Sequence, residues 1–96
     1  MNALHVFLAV AIVFASQAPA FAAPPAGAAA CSGCHAASAA VVSPVPRLVG
    51  RDAADIRKAM QEFRSGARPG TVMDKIAKGY TDDEIQAIAA WYAMQR

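Results

Sequence analysis

The chain has 96 residues, a formal net charge of +2 at neutral pH and a hydrophobic fraction of 56%. Every Lys, Arg, Asp and Glu lies at or beyond Arg47 with the signs mixed, which speaks against a nucleic-acid binder and only weakly for an acidic partner face. The apolar fraction is inflated by the N-terminal segment and by runs of alanine, so it does not indicate a membrane protein.

Residues 1–22 read as a signal peptide. After Met1 comes an apolar run from about Val6 to Ala15. Ala20-Phe21-Ala22 then forms an Ala-x-Ala cleavage pattern, which predicts a mature domain over residues 23–96. The segment departs from an ordinary leader in carrying no Lys or Arg, so only the terminal amine and His5 supply positive charge. An uncleaved anchor is the weaker alternative, because the run is shorter than the roughly 20 residues a spanning helix needs. The expectation is an exported, periplasmic domain with no membrane span. Cleavage leaves roughly 70 residues, a size at which a hydrophobic core is marginal without a covalent or metal staple.

Pro24-Pro25-Ala26-Gly27 followed by three alanines predicts at most about two helical turns running into Cys31. Cys31-Ser32-Gly33-Cys34-His35 follows, with the spacing used to attach a c-type haem. Two thiols separated by two small residues can reach the two vinyl groups of one porphyrin. An imidazole directly after the second cysteine then points at the iron and becomes its proximal ligand. Two other readings of the spacing lack the context they need. A local disulfide or thioredoxin-like dithiol needs a βαβ context, and no strand-like run flanks the motif. A zinc half-site needs further ligands, and the only other histidine is His5, in the leader. The motif therefore predicts one covalently attached haem c, held by Cys31 and Cys34, ligated by His35 and acting as the centre of the core.

Beyond the motif, Ala36 to Val42 shows no periodicity and Ser43-Pro44-Val45-Pro46 breaks any helix, which predicts an irregular loop around the haem edge. Asp52 reads as an N-cap with Asp55 at the third helical position. Ile56, Ala59, Met60 and Phe63 recur at helical spacing up to Gly66, giving an amphipathic helix over about Ala53 to Ser65. A shorter helix is expected over Asp74 to Lys78, closed by Gly79 in a left-handed conformation. Thr81-Asp82-Asp83-Glu84 reads as a capping box before a helix whose Ile85, Ile88, Ala89 and Tyr92 share one face. Helical periodicity without alternation predicts an all-α fold.

The sixth iron position decides between an electron carrier and an open site for gases or peroxide. Met1 leaves with the leader, Met60 lies on the apolar face of its helix as core filler, and Met94 is near the C-terminal end. Met73 sits at a loop-to-helix junction after the turn formers Gly66 to Thr71 and is the expected ligand; an exchange of roles between Met60 and Met73 is the main competing assignment.

The haem motif, Pro46-Arg47-Leu48-Val49-Gly50, the stretch Met73 to Tyr80 and the acid-capped last helix together resemble class I cytochrome c over most of the mature chain. Within that class, Met60 to Gly66 and Met73 to Tyr80 resemble the cytochrome subunit of flavocytochrome c sulfide dehydrogenase. The resemblance implies a small class I fold with a shortened N-terminal helix, whose packing against the last helix is an open point. It also implies the short single-haem form, since the second domain of the dihaem version is absent. Pro46 would supply the carbonyl that accepts the His35 Nδ1 proton, against the plainer reading of a turn proline. Trp91 or Tyr92 would pack against the first helix. Arg47, Arg68 and Lys78 could meet a haem propionate or an acidic partner, or be merely solvated.

The function expected is periplasmic one-electron transfer with no substrate chemistry by the polypeptide itself. The implied partners are an FAD-containing flavoprotein that oxidises sulfide and a downstream electron acceptor. A freely diffusing carrier is the alternative within the class. A haem sensor or peroxidase-like protein with an open sixth site is the alternative outside it.

Overall fold

A computed structural model describes residues 23–95, so the signal peptide read at residues 1–22 lies outside the described residues. Four α-helices and one 3₁₀ turn follow in order: α1 (Ala28–Cys31), α2 (Ala53–Ser65), α3 (Met73–Ile76), the 3₁₀ turn (Ala77–Gly79) and α4 (Asp82–Met94). No strand occurs among the described residues, and residues 32–52 form neither helix nor strand, a span that contains the irregular loop predicted from Ala36 to Pro46.

The two long helices form where local chemistry dictates. Asp52 accepts a hydrogen bond from the Ala54 amide at 2.8 Å and satisfies one of the free donors at the start of α2. Gly66, at φ 86°, ends the helix in a left-handed conformation that costs a glycine little. At the start of α4 the capping box is complete. The Glu84 amide donates to Thr81 Oγ1 at 3.2 Å, and the Thr81 amide donates to Glu84 Oε1 at 3.0 Å.

The third helix differs from its prediction. It begins at Met73 and tightens after Ile76 into the 3₁₀ turn, and Gly79 is not among the glycines with positive φ. Tyr80, extended at φ −117°, carries the chain away instead. A tightened last turn satisfies end carbonyls through i→i+3 bonds, so no left-handed residue is needed there.

Helix α2 packs chiefly on α4 and also on α3 and the 3₁₀ turn. The four α4 residues placed on one face, Ile85, Ile88, Ala89 and Tyr92, are all buried. Ile88, Ala89 and Tyr92 form one cluster with Ile56 of α2 and Ala28 of α1. Helix α1 is a single turn, yet it docks on α4, because the Tyr92 hydroxyl donates to the Ala28 carbonyl at 2.5 Å. Arg64 at the end of α2 pairs with Asp82 at the start of α4 and donates to the Tyr80 carbonyl at 3.2 Å, tying the two helices at their junction.

Candidate functional site

Helix α1 runs into Cys31 and the chain turns at once. The Gly33 amide donates to the Ala30 carbonyl at 3.2 Å, and the amides of Cys34 and His35 both donate to the Cys31 carbonyl, at 3.2 and 2.9 Å. The two thiols and the imidazole therefore belong to one hydrogen-bonded turn. Cys31 is half-buried and Cys34 exposed. Burial pushes the Cys31 thiol above its ordinary pKa, and hydrogen bonding partly offsets the shift.

His35 is half-buried, and its Nδ1 lies 2.6 Å from the Pro46 carbonyl. A carbonyl can only accept, so Nδ1 carries the proton and the lone pair of the neutral ring is left on Nε2, the nitrogen available to a metal. The loop that brings Pro46 back is itself fastened. Arg47 donates from Nε and Nη2 to the Ala37 carbonyl at 3.3 and 3.0 Å, and the Gly50 amide donates to the Tyr92 carbonyl at 3.0 Å. Arg47 thus closes this loop.

Tyr92 holds the motif from the other side. With its single proton given to Ala28, its oxygen accepts from Ser32 Oγ at 2.9 Å. Ser32 is the first spacer of the Cys-x-x-Cys sequence, so the last helix is bonded directly to the attachment turn. Burial pushes the Tyr92 phenol above its ordinary pKa. The Tyr92 ring meets that of Trp91 edge to face, with centroids 4.9 Å apart.

Among the methionines, Met73 is the first residue of α3 and half-buried, Met60 is half-buried on α2, and Met94 is exposed. Arg68 is engaged by Glu62, and Lys78 is exposed. Ser32 and Glu62 carry no signal as site residues in the sequence. One looks like a small spacer, and the other pairs across a six-residue separation that matches no helical period.

The donor set fits a haem better than a directly bound ion. No group of three or more His, Cys, Asp and Glu side chains among the described residues could hold a metal ion. Two cysteines on one turn suit thioether attachment, and His35 Nε2 and the Met73 thioether suit iron. Val41 and Val42 after the motif, and Val72 and Ile76 near Met73 in the sequence, present apolar side chains at the surface.

A small helical domain built on a Cys-x-x-Cys-His turn defines a class, that of proteins carrying haem c. No family model matches the chain. It is 32% identical over 69 residues to cytochrome c-554(548) of Halomonas halodenitrificans, an alignment covering 68% of this chain and 83% of the relative. It is 39% identical over 62 residues to the cytochrome subunit of sulfide dehydrogenase of Chlorobaculum tepidum, covering 65% of this chain and 56% of that one. It is also 44% identical over 63 residues to the thiosulfate dehydrogenase electron acceptor of Stutzerimonas stutzeri, covering 64% and 29%. The chain thus spans little more than half of one of these relatives and under a third of another. It belongs to the class I c-type cytochromes, electron-transfer proteins among which a sulfide dehydrogenase subunit is a near relative. Membership implies haem c, and no described helix is long and apolar enough to cross a membrane.

Proposed function

We propose that the chain is an exported, periplasmic one-electron carrier with a single haem c, which Cys31 and Cys34 would attach covalently and His35 and Met73 would hold at its iron. It serves as the cytochrome subunit that accepts electrons from a sulfide-oxidising flavoprotein. The observation that carries this reading is the His35 Nδ1 contact to the Pro46 carbonyl, which supplies a fixed tautomer with Nε2 free on the turn that bears both thiols. When bound, haem supplies a one-electron couple at its iron. The polypeptide orients the imidazole, supplies the thioether from the first residue of α3, and would exclude water with apolar side chains, which disfavours the more highly charged ferric centre. The flavoprotein partner is supported by the name of the Chlorobaculum relative.

Two measurements test the reading. In haem-loaded protein, Met73→Ala should lower the potential and open the ferrous form to carbon monoxide, whereas Met60→Leu should do neither; the reverse result would exchange their roles. Pull-down of haem-loaded protein from its native periplasm should bring a stoichiometric flavoprotein whose sulfide-dependent reduction reaches this haem. Recovery of a lone low-spin cytochrome would make the chain a freely diffusing carrier.

A further inference from the structure

The seven residues between α2 and α3, positions 66–72, deliver Met73, and they are fastened to α2 at three points. At the start, the Arg68 amide donates to the Glu62 carbonyl at 3.2 Å, and the Ala67 amide donates to Ser65 Oγ at 3.3 Å. Next, the Arg68 guanidinium reaches back to the Glu62 carboxylate, with Nε and Nη2 each 2.8 Å from Oε2. The other carboxylate oxygen is taken by Lys58, one helical turn earlier. The same guanidinium lies over the Phe63 ring at 5.5 Å from its centroid, which favours the cation further. Finally, Gly70 lies against the Phe63 edge so closely that a Cβ there would fall 3.0 Å from Cε1 and 3.3 Å from the Asp74 amide nitrogen.

We propose that Glu62 is a positioning residue for Met73, acting through Arg68 to fix the path of residues 66–72 and hence the point at which the thioether is presented. The proposal rests on the reading of Met73 as an axial ligand. Lone surface ion pairs are worth little. This one differs because a carboxylate with both oxygens engaged is combined with a backbone bond and an aromatic platform, all on the connection in question. Glu62 is also only one-quarter exposed, which limits screening by solvent.

The test uses haem-loaded protein with Glu62→Gln, Arg68→Lys, Lys58→Ala and Met73→Ala. It reads amide hydrogen exchange by segment and carbon monoxide association with the ferrous form. Glu62→Gln should raise exchange across residues 67–72 and carbon monoxide association, each by about threefold, while exchange in α4 stays at the wild-type level. Arg68→Lys, which keeps a cation for Glu62, should fall between wild type and Glu62→Gln. Lys58→Ala removes only the second partner of the Glu62 carboxylate, which touches no part of the connection, and should change both readings by clearly less than Glu62→Gln. Equal effects from Lys58→Ala and Glu62→Gln, or unchanged exchange in Glu62→Gln, would overturn the proposal. If Met73→Ala binds carbon monoxide no better than wild type, the ligand assignment fails, and exchange across 67–72 alone judges the clasp.

Discussion

The Tyr92 hydroxyl near the end of α4 donates to the carbonyl of Ala28, the first residue of α1, at 2.5 Å, and accepts from Ser32 inside the cysteine motif at 2.9 Å. A first helix of one turn cannot hold itself in place, because helix nucleation is unfavourable and a short helix depends on tertiary contacts. One phenol thus fastens both the short helix and the attachment turn to the longest-range element of the core. Tyr92→Phe keeps the ring but leaves two polar groups without this partner, so it should destabilise haem-loaded protein by about 1–2 kcal/mol in denaturant unfolding. Ser32→Ala should cost less, since the bond to Ala28 survives. Equal stability of Tyr92→Phe and wild type would show that the hydroxyl does not carry the docking.

The acid side of the stability profile should come from two glutamates. Bonds from Lys58 and then Arg68 hold the Glu62 carboxyl below its ordinary value of 4.5, and bonds from the Thr81 amide and hydroxyl hold Glu84 below the same value. A carboxyl depressed in the folded state adds stability that is fully present above the unfolded value and is lost as pH falls through the folded one. Unfolding free energy should therefore fall below about pH 4.5. Glu62→Gln and Glu84→Gln should each be less stable than wild type at pH 7 and converge on it in acid. Added salt should weaken the Glu62 contribution, which is ionic, more than that of Glu84, which is made by local hydrogen bonds. A gap between variant and wild type that persisted unchanged down to pH 2 would contradict this origin.

Pro46 acts through its backbone carbonyl, so its side chain can be replaced without removing the acceptor for His35. Pro46→Ala should keep the spectrum and potential of haem-loaded protein. It should lose less than about 1 kcal/mol of stability, through the greater freedom it gives the unfolded chain. A change in axial ligation in this variant would instead assign the ring itself a part in holding the loop against His35.

The legible parts of this molecule were the local ones. The bounds of α2 follow from Asp52, Gly66 and the spacing of Ile56, Ala59, Met60 and Phe63, and the start of α4 from the Thr81 and Glu84 box, all within a few residues of what they determine. The end of α3 differs because Gly79 suggests a left-handed stop, whereas a 3₁₀ turn closes the helix without one. Contacts between distant positions had no periodic signature. Ser32 meets Tyr92 across 60 positions, and only the fold makes them neighbours. The attachment motif stood out because its five residues are contiguous. The bond from His35 to Pro46, eleven positions on, was expected only from family resemblance.

The described core is small, and this makes it sensitive. Its cluster joins Ala28, Ile56, Ile88, Ala89 and Tyr92, so α1, α2 and α4 meet on few side chains. Ile88 is 3% exposed at the centre of that cluster, and truncation there removes apolar burial and leaves a cavity that close-packed neighbours cannot fill. Ile88→Ala should cost about 2–4 kcal/mol in denaturant unfolding of haem-loaded protein. Met94→Ala, six residues nearer the C-terminus on the same helix and 68% exposed, should fall within about 0.5 kcal/mol of wild type. The comparison isolates burial from helix propensity, because both changes introduce alanine into α4. If the two variants lost similar stability, the haem would dominate the folding energy and the helix cluster would count for little. A large difference assigns to these few residues the task of holding α1, and with it the attachment turn, against α4.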